Sequence, residues 1–136
     1  MVLTRIVYHS KLVIPPDFRG YEEEFVEKIR SVSVINNRKR EVSGVLLHNV
    51  NTDELIQVLE GEDDVLDDLM EIIGKDVRHR GIRIMVRKEV DGREYSNWGM
   101  LRGNKDSWKL VKLHLPASAD PNVVGDFEEA FALSNK

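Results

Sequence analysis

Hydrophobic and polar positions alternate along the chain in short blocks that predict strands and helices in turn. The first block places Ile6, Tyr8 and Ser10 on one face of a strand and Val7 on the other. A pair of prolines ends that strand, and residues from about 21 to 38 then show helical spacing. The predicted inward stripe of this helix becomes polar at its end and consists of Phe25, Ile29, Val32 and Asn36.

Two short strands follow this helix and form a predicted hairpin. They span about 43 to 48 and 54 to 60, and the polar stretch between them is rich in turn formers. On one face of the second strand a lone amide, Gln57, lies between Leu55 and Leu59. We predict that this face is buried, because the neighbouring strand offers apolar counterparts, Val45 and Leu47. The alternative is that this face is solvated and that the two leucines are the anomaly.

A second amphipathic helix begins after Gly61, with acidic residues in its first turn, and stops near Gly74. Its predicted buried positions are Leu66, Leu69, Met70 and Ile73. A strand with one apolar face follows, formed by Ile82, Ile84 and Val86. Asp91-Gly92 then predicts a hairpin turn into a last strand at about 94 to 101, which carries Trp98 and Met100 on one side.

This order of elements predicts an α+β fold, a ferredoxin-like βαββαββ sheet with two helices on one face. The second face would be too apolar to stay exposed, since its predicted lining is Val7, Leu46, Ile56, Val58 and Met85. After a break from Pro116 to Pro121, the tail has helical spacing at Val123, Val124, Phe127, Ala130 and Phe131. We expect this segment to cover the second face, alone or with a partner subunit. The predicted organisation is one domain over residues 1–103 and a C-terminal helical extension over 104–136.

Composition narrows the possible functions. The chain of 136 residues is 41% hydrophobic and 32% charged, which is ordinary for a soluble domain with one core. It has no apolar run long enough to cross a bilayer, and its start lacks the features of a signal peptide, so we expect a cytoplasmic protein that is not in a membrane. The absence of cysteine excludes thiolate nucleophiles, thiolate metal sites and cysteinyl-flavin photochemistry.

Charge argues against nucleic acid as a partner. The net charge is −4, whereas non-specific binding to phosphates depends on clustered lysine and arginine. The basic run Arg38-Lys39-Arg40 is better interpreted as favourable placement at a helix C-terminus. Acidic residues at the N-terminus of the same helix support that interpretation, namely Glu22, Glu23 and Glu24.

Three polar residues, Tyr8, Asn37 and Gln57, lie on faces that should be buried. A buried amide or phenol without a hydrogen-bond partner costs roughly 1–3 kcal/mol, so their convergence predicts a network closed by a bound polar ligand. For Asn37 the alternative is a role at the helix C-terminus, where asparagine tolerates the left-handed conformation.

Several short motifs in a fixed order carry a family resemblance. They are Tyr8-His9-Ser10, Asn37 followed by Ser43-Gly44, Gln57-Val58-Leu59-Glu60-Gly61, Asp76-Val77-Arg78-His79, and Trp98-Gly99-Met100. Over about residues 3 to 101 the chain resembles the BLUF domains, blue-light sensors that bind FAD without a covalent link. The resemblance implies that the isoalloxazine ring lies between the two helices, with Asn37 at a pyrimidine-side carbonyl and Gln57 between the ring and Tyr8.

The resemblance also implies further roles. Arg78 would lie near the ring carbonyls beside His79, and the remaining pocket positions would be Ser33, Asn36 and Ile73. Tyr8 and Gln57 would be photoactive, with Trp98 or Met100 passing the signal to the C-terminal segment. The implied protein is a photoreceptor and not an enzyme, acting through an unidentified downstream protein and as a homo-oligomer.

The chain departs from the family pattern in two places. Ile56 stands where an aromatic residue usually precedes the glutamine, and the hairpin loop from Asn49 to Asp53 is longer than usual. A shift of strand register at this loop would turn Gln57 outward and abolish the switch. Two alternatives to a photoreceptor are a flavin-free ferredoxin-like interaction module and a hydrolase of acylphosphatase type, although no glycine-rich phosphate cradle is evident for the latter.

Overall fold

The computed structural model of the protein describes residues 2–95 and 101–133. The strands are β1 (Leu3–Leu12), β2 (Ser43–His48), β3 (Glu54–Glu62), β4 (His79–Glu89) and β5 (Leu101–Arg102). The helices are α1 (Glu22–Lys39), α2 (Asp63–Gly74), α3 (Lys105–His114) and α4 (Pro121–Leu133), with a short 3-10 turn at Pro16–Phe18. None of the helices in the described ranges is long and apolar enough to span a membrane.

The strands form one sheet in the order β4-β1-β3-β2-β5. The first four strands pair antiparallel, which confirms the predicted ferredoxin-like arrangement, while β5 pairs parallel to β2. The predicted hairpin at Asp91-Gly92 is therefore wrong, because β5 lies at the edge opposite β4. The chain leaves β4 and passes beneath the sheet, where the main-chain N–H groups of Glu94 and Tyr95 donate to the carboxylate of Glu60.

The sheet separates two hydrophobic cores. The core on the side of α1 and α2 contains Ile6, Tyr8, Leu46, Leu55 and Leu59, whereas the other core contains Val7, Val45, Leu47, Ile56 and Val58. The predicted faces of β2 are thus reversed. Leu46 lies directly opposite Gln57 in the ladder, and directly opposed residues share a face. The β2 sequence is apolar on both faces, so alternation alone could not orient it.

A β-bulge also changes the predicted face of β4. Val7 pairs with Val86 and Tyr8 pairs with Ile84, so Met85 is the additional residue on β4. Val86 consequently packs with Met85 in the core on the side opposite α1 and α2, here called the second core, and Ile84 is 51% exposed. The prediction that Ile82, Ile84 and Val86 share one buried face is therefore wrong.

The inward face of α1 is rotated from the predicted stripe. Phe25 and Asn37 are buried, whereas Val32 is 51% exposed and Asn36 is exposed. Ile29 and Ser33 complete the observed row, which has a spacing of four residues. In α2 the predicted positions Leu66 and Leu69 are buried, and Met70 and Ile73 are partly buried against the same core.

The C-terminal segment covers the second face of the sheet, as predicted. Phe127 and Val123 of α4 are buried there with Trp108 and Val111 of α3. Sequence analysis did not identify α3 as a separate helix. Its signal is a capping box, in which Asn104 accepts the main-chain N–H of Ser107 and the Ser107 hydroxyl accepts the N–H of Asn104. The boundary at residue 103 stays a prediction, since the extension shares a core with the sheet.

Candidate functional site

A cleft opens between the sheet and the two helices α1 and α2. Together with the open space at its mouth, it comprises about 590 Å³. Strands β1, β2 and β3 form its floor, α1 and α2 form its walls, and the segment from Asp76 to His79 lies at its rim. Its lining consists of Tyr8, Leu12, Ile29, Ser33, Asn37, Leu46, Leu55, Gln57, Leu59, Leu69, Ile73, Asp76, Arg78 and His79.

Tyr8 and Gln57 form a cross-strand pair on the floor of the cleft. They are direct partners in the β1–β3 ladder, and the Tyr8 hydroxyl donates a hydrogen bond to the Gln57 amide oxygen. Their exposed fractions are 3% and 8%, so the alternative of a solvated face for Gln57 is wrong. Burial, and secondarily the negative charge of Asp76, raise the pKa of Tyr8 well above its usual range. The phenol is therefore neutral and able to donate.

Asn37 lies in the last turn of α1 and is only 3% exposed. Its main-chain carbonyl accepts the N–H of Val42 at 2.8 Å, which fixes the end of the helix against the start of β2. Its side-chain amide has no hydrogen-bond partner within the described residues, and neither has the amide nitrogen of Gln57. Two amides on the wall and floor of one cleft thus retain donors and acceptors for a bound molecule.

The neighbouring positions on α1 differ in placement. Ser33 lines the cleft, and its hydroxyl donates to the main-chain carbonyl of Ile29 at 3.0 Å. Asn36 is exposed and is not part of the lining, so its placement contradicts the predicted contact with a ring. The physical reason is the rotation of α1, whose inward row runs through Ser33 and Asn37.

His79 at the start of β4 has a fixed orientation. Its Nε2 lies 2.8 Å from the carbonyl of Ile73, and its Nδ1 lies 2.9 Å from the hydroxyl of Ser10. Because a carbonyl can only accept, the neutral ring carries its proton on Nε2 and accepts from Ser10 at Nδ1. The ring also lies edge-on to Tyr8, with 6.3 Å between centroids. His79 thereby ties the end of α2 to the strand that carries the tyrosine.

Arg78 and Asp76 form an ion pair at the rim of the cleft. The guanidinium Nε lies 2.9 and 3.0 Å from the two carboxylate oxygens, and Nη2 lies 2.5 Å from Oδ2. The Arg78 side chain lowers the pKa of Asp76, and Asp76 in turn raises the pKa of Arg78. Asp76 was not predicted as a site residue, although it belongs to the Asp76-Val77-Arg78-His79 motif and lies two residues before Arg78.

The structure therefore brings together most of the site residues that sequence analysis singled out. Tyr8, Ser33, Asn37, Gln57, Ile73, Arg78 and His79 all line the cleft. Trp98 and Met100 lie outside the described residues. Apart from Ile73, the apolar lining was not predicted as such, and Leu46 lies in the cleft because the faces of β2 are reversed from the prediction.

Chemically, the cleft combines apolar side chains with a set of hydrogen-bonding groups on its floor and on the α1 wall. The Tyr8 phenol and the two amides can donate and accept without any change of net charge, and Arg78 supplies a cation at the rim. Such an arrangement suits a flat molecule that has one apolar end and one edge of carbonyl and N–H groups.

Comparisons with known proteins agree with this geometry. The family model described as BLUF, "Sensors of blue-light using FAD", matches residues 3–101. The beta subunit of the photoactivated adenylate cyclase of Euglena gracilis is 32% identical over 105 residues, which is 77% of this chain but 12% of that protein. The chain thus spans about one eighth of the curated relatives that it matches.

Solved structures show the same fold. A bacterial light-regulated adenylyl cyclase is similar with a TM-score of 0.67 and 25% identity, covering 98% of this chain and 33% of that one. BlrB, a BLUF protein in its dark state, has a TM-score of 0.66 and 22% identity, and the similarity covers 98% of this chain and 97% of BlrB. The fold, the cleft and the matched family model lead to one conclusion: this chain belongs to the BLUF family of blue-light flavin sensors.

Proposed function

We propose that this chain binds FAD non-covalently in the cleft and senses blue light through the hydrogen bonds of Tyr8 and Gln57. The observation that carries the proposal is the buried Tyr8–Gln57 pair, which shares one cleft with the Asn37 side-chain amide, for which the part of the chain that the structure describes offers no partner. In this arrangement a polar ring edge would provide hydrogen-bond partners for the side-chain amides of Asn37 and Gln57.

The residues present fit an isoalloxazine ring. The apolar edge of the ring would lie among Ile29, Leu69 and Ile73, and its pyrimidine edge would be held by the amides of Asn37 and Gln57. Arg78 would donate to a ring carbonyl from the rim. We further propose FAD rather than another flavin, as the family description states. Mass spectrometry of the flavin released from the purified protein distinguishes FAD from FMN, and release of FMN alone would refute this choice.

A bound flavin would supply the absorption of blue light and the acceptor for one electron and one proton. Tyr8 would donate both, the proton leaving along its hydrogen bond to Gln57, and both would return to Tyr8 within the photocycle, so that no net oxidation results. Gln57 acts as the relay, since its amide has an acceptor at one end and a donor at the other. Rotation or tautomerisation of that amide reverses the hydrogen bonds on the floor of the cleft without a change of net charge.

Asn37 and Asn36 provide a matched pair of substitutions for flavin binding. Asn37→Ala removes an amide that lines the cleft, and we expect FAD affinity to fall roughly tenfold, the loss of about 1.4 kcal/mol. Asn36→Ala changes an exposed neighbour on the same helix and should leave the affinity for FAD within about twofold of the wild-type value. Fluorescence titration of FAD measures both dissociation constants. Equal effects of the two substitutions would contradict the assigned position of the ring.

Output through protein contacts is part of the same proposal. Family membership supports relay to another domain or protein, and the helices α3 and α4 pack on the sheet face opposite the cleft. We propose that the chain acts as a homo-oligomer and signals to a downstream protein. Light scattering after gel filtration, in the dark and under blue light, tests the oligomer, and a monomer in both states would refute it. The cytoplasmic location stays a prediction that cell fractionation can check.

A flavin-free interaction module is the alternative function. It predicts a colourless protein that takes up no added FAD, and a Tyr8→Phe variant without consequence. A yellow protein with stoichiometric flavin excludes it.

A further inference from the structure

Asp76 fixes the guanidinium of Arg78 through a side-on ion pair. Both carboxylate oxygens contact the Nε and Nη2 edge of the guanidinium, at distances from 2.5 to 3.0 Å. The carboxylate itself is anchored, because Oδ1 also accepts the main-chain N–H of Arg78 at 2.9 Å. The main-chain N–H of Asp76 in turn donates to the carbonyl of Ile73 at 3.1 Å, at the end of α2. The cation is thus held at a defined place on the rim.

This pairing uses only one edge of a planar donor. A guanidinium has five N–H groups in a rigid fork, and the pair with Asp76 occupies the edge formed by Nε and Nη2. Nη1 points away from that edge and has no partner within the described residues. One donor group of Arg78 is therefore fixed in direction and left for another acceptor. Both residues belong to the lining of the cleft.

Asp76 also balances the charge at the rim. An unpaired guanidinium beside a half-closed cleft would favour negative charge in it, including ionisation of Tyr8. The negative charge of Asp76 acts in the opposite sense, and after burial it is the second cause that raises the pKa of Tyr8. A neutral ion pair thus leaves a directed donor at the rim of the cleft without a strong positive field.

We propose that Asp76 is a positioning residue for flavin, which acts by holding Arg78 with Nη1 directed to a ring carbonyl. This inference rests on the proposed function, since it assumes that flavin occupies the cleft. The inference goes beyond the proposed function because it gives Asp76, which is not on the floor of the cleft, the role of orienting the Arg78 cation at the rim.

A double-mutant cycle on the full chain tests the inference. Asp76→Asn, Arg78→Ala and the double variant are titrated with FAD after removal of bound flavin. We expect each single variant to weaken FAD binding roughly tenfold, and the double variant to match Arg78→Ala within about twofold, because Asp76 acts only through Arg78. Asp68→Asn on the exposed face of α2 is the matched control and should bind as the wild type.

Two further measurements separate positioning from a structural role. The infrared carbonyl bands of bound flavin should move to higher frequency in both single variants, since each loses the same donor. In Asp76→Glu, which keeps the carboxylate, the bands should lie closer to the wild-type frequency. If Asp76 only stabilises the turn after α2, Asp76→Asn will weaken FAD binding and lower the Tm of the apoprotein. Both effects will then be as large in the Arg78→Ala background as in the wild type. That result, or wild-type affinity in Asp76→Asn, would overturn the inference while leaving the photoreceptor function intact. A wild-type chain that binds no flavin would overturn both.

Discussion

Glu60 provides a stringent test of how the second core is held together. Its carboxylate is fully buried and lies 2.9 Å from both Nε and Nη2 of Arg5, which is itself only 5% exposed. The same carboxylate accepts the main-chain N–H groups of Glu94 at 3.1 Å and Tyr95 at 2.8 Å. It therefore neutralises a buried cation and fastens the crossing segment beneath the sheet.

Glu60→Gln keeps the size of the side chain but removes its charge and one acceptor. A buried ion pair broken on one side costs about 3–5 kcal/mol, because the remaining charge is left without compensation. The total stability of a domain is about 5–15 kcal/mol, so the variant should lose a large share of it. With a urea m-value of about 1–3 kcal/mol/M, the unfolding midpoint should fall by at least about 1 M.

The assay is urea unfolding followed by circular dichroism, with Glu62→Gln as the matched control. Glu62 is on the same strand, is partly exposed and makes no side-chain cap to α2, so its substitution should change stability by less than about 0.5 kcal/mol. Because Gln57 faces the opposite side of the sheet, the dark absorption of bound flavin should persist in Glu60→Gln. A stability loss below about 1 kcal/mol would refute the assigned role of the Arg5–Glu60 pair.

Two other predictions concern α3 and the β2–β3 ladder. Burial, and secondarily the positive charge of Arg5, lower the pKa of His114, so folding favours the neutral ring. The contribution of His114 to stability is complete above the unfolded pKa of about 6.5 and is lost as the pH falls below that value. The urea midpoint of the wild type should therefore drop more between pH 7.5 and 5.5 than the midpoint of His114→Gln. Gly44→Ala should cost about 3 kcal/mol, because the added Cβ would lie 1.9 Å from the carbonyl oxygen of Val58.

Each of these two predictions has its own control. For His114, equal pH dependence in wild type and variant would show that the imidazole does not titrate differently on folding. For Gly44, the matched substitution is Gly74→Ala at the end of α2, where an added Cβ meets no atom within 4 Å. If both glycine variants unfold at the same temperature, the close approach of β2 and β3 is not what the structure indicates.

The sequence was sufficient to predict the succession of the first four strands and two helices along the chain and the convergence of Tyr8, Asn37 and Gln57. In these places polar residues interrupt apolar faces and so define which way a strand or helix points. Gln57 between two leucines is one such marker, and Asn37 at the end of α1 is another. The site could therefore be located because its chemistry differs from the core around it.

Elsewhere the pattern lacked such markers or depended on distant contacts. The Val45-Leu46-Leu47 run is apolar on both faces, and only its register with β3 shows that Leu46 reaches the cleft. The bulge at Met85 and the crossing after β4 depend on pairing with β1 and on the Glu60 carboxylate, which no local rule encodes. Asn36 was misplaced for a simpler reason, since a rotation of one residue on a helix exchanges an inward position for an exposed one.

The most direct test of the central claim is a light-minus-dark absorption spectrum of the flavin-loaded protein, compared with that of Tyr8→Phe. We expect that blue light moves the flavin bands of the wild type a small distance to the red, that the shift decays in the dark, and that the variant binds flavin without shifting. A wild-type protein that holds flavin but never shifts, or a Tyr8→Phe variant that shifts as the wild type does, would contradict the assignment of the Tyr8–Gln57 pair as the light-driven switch.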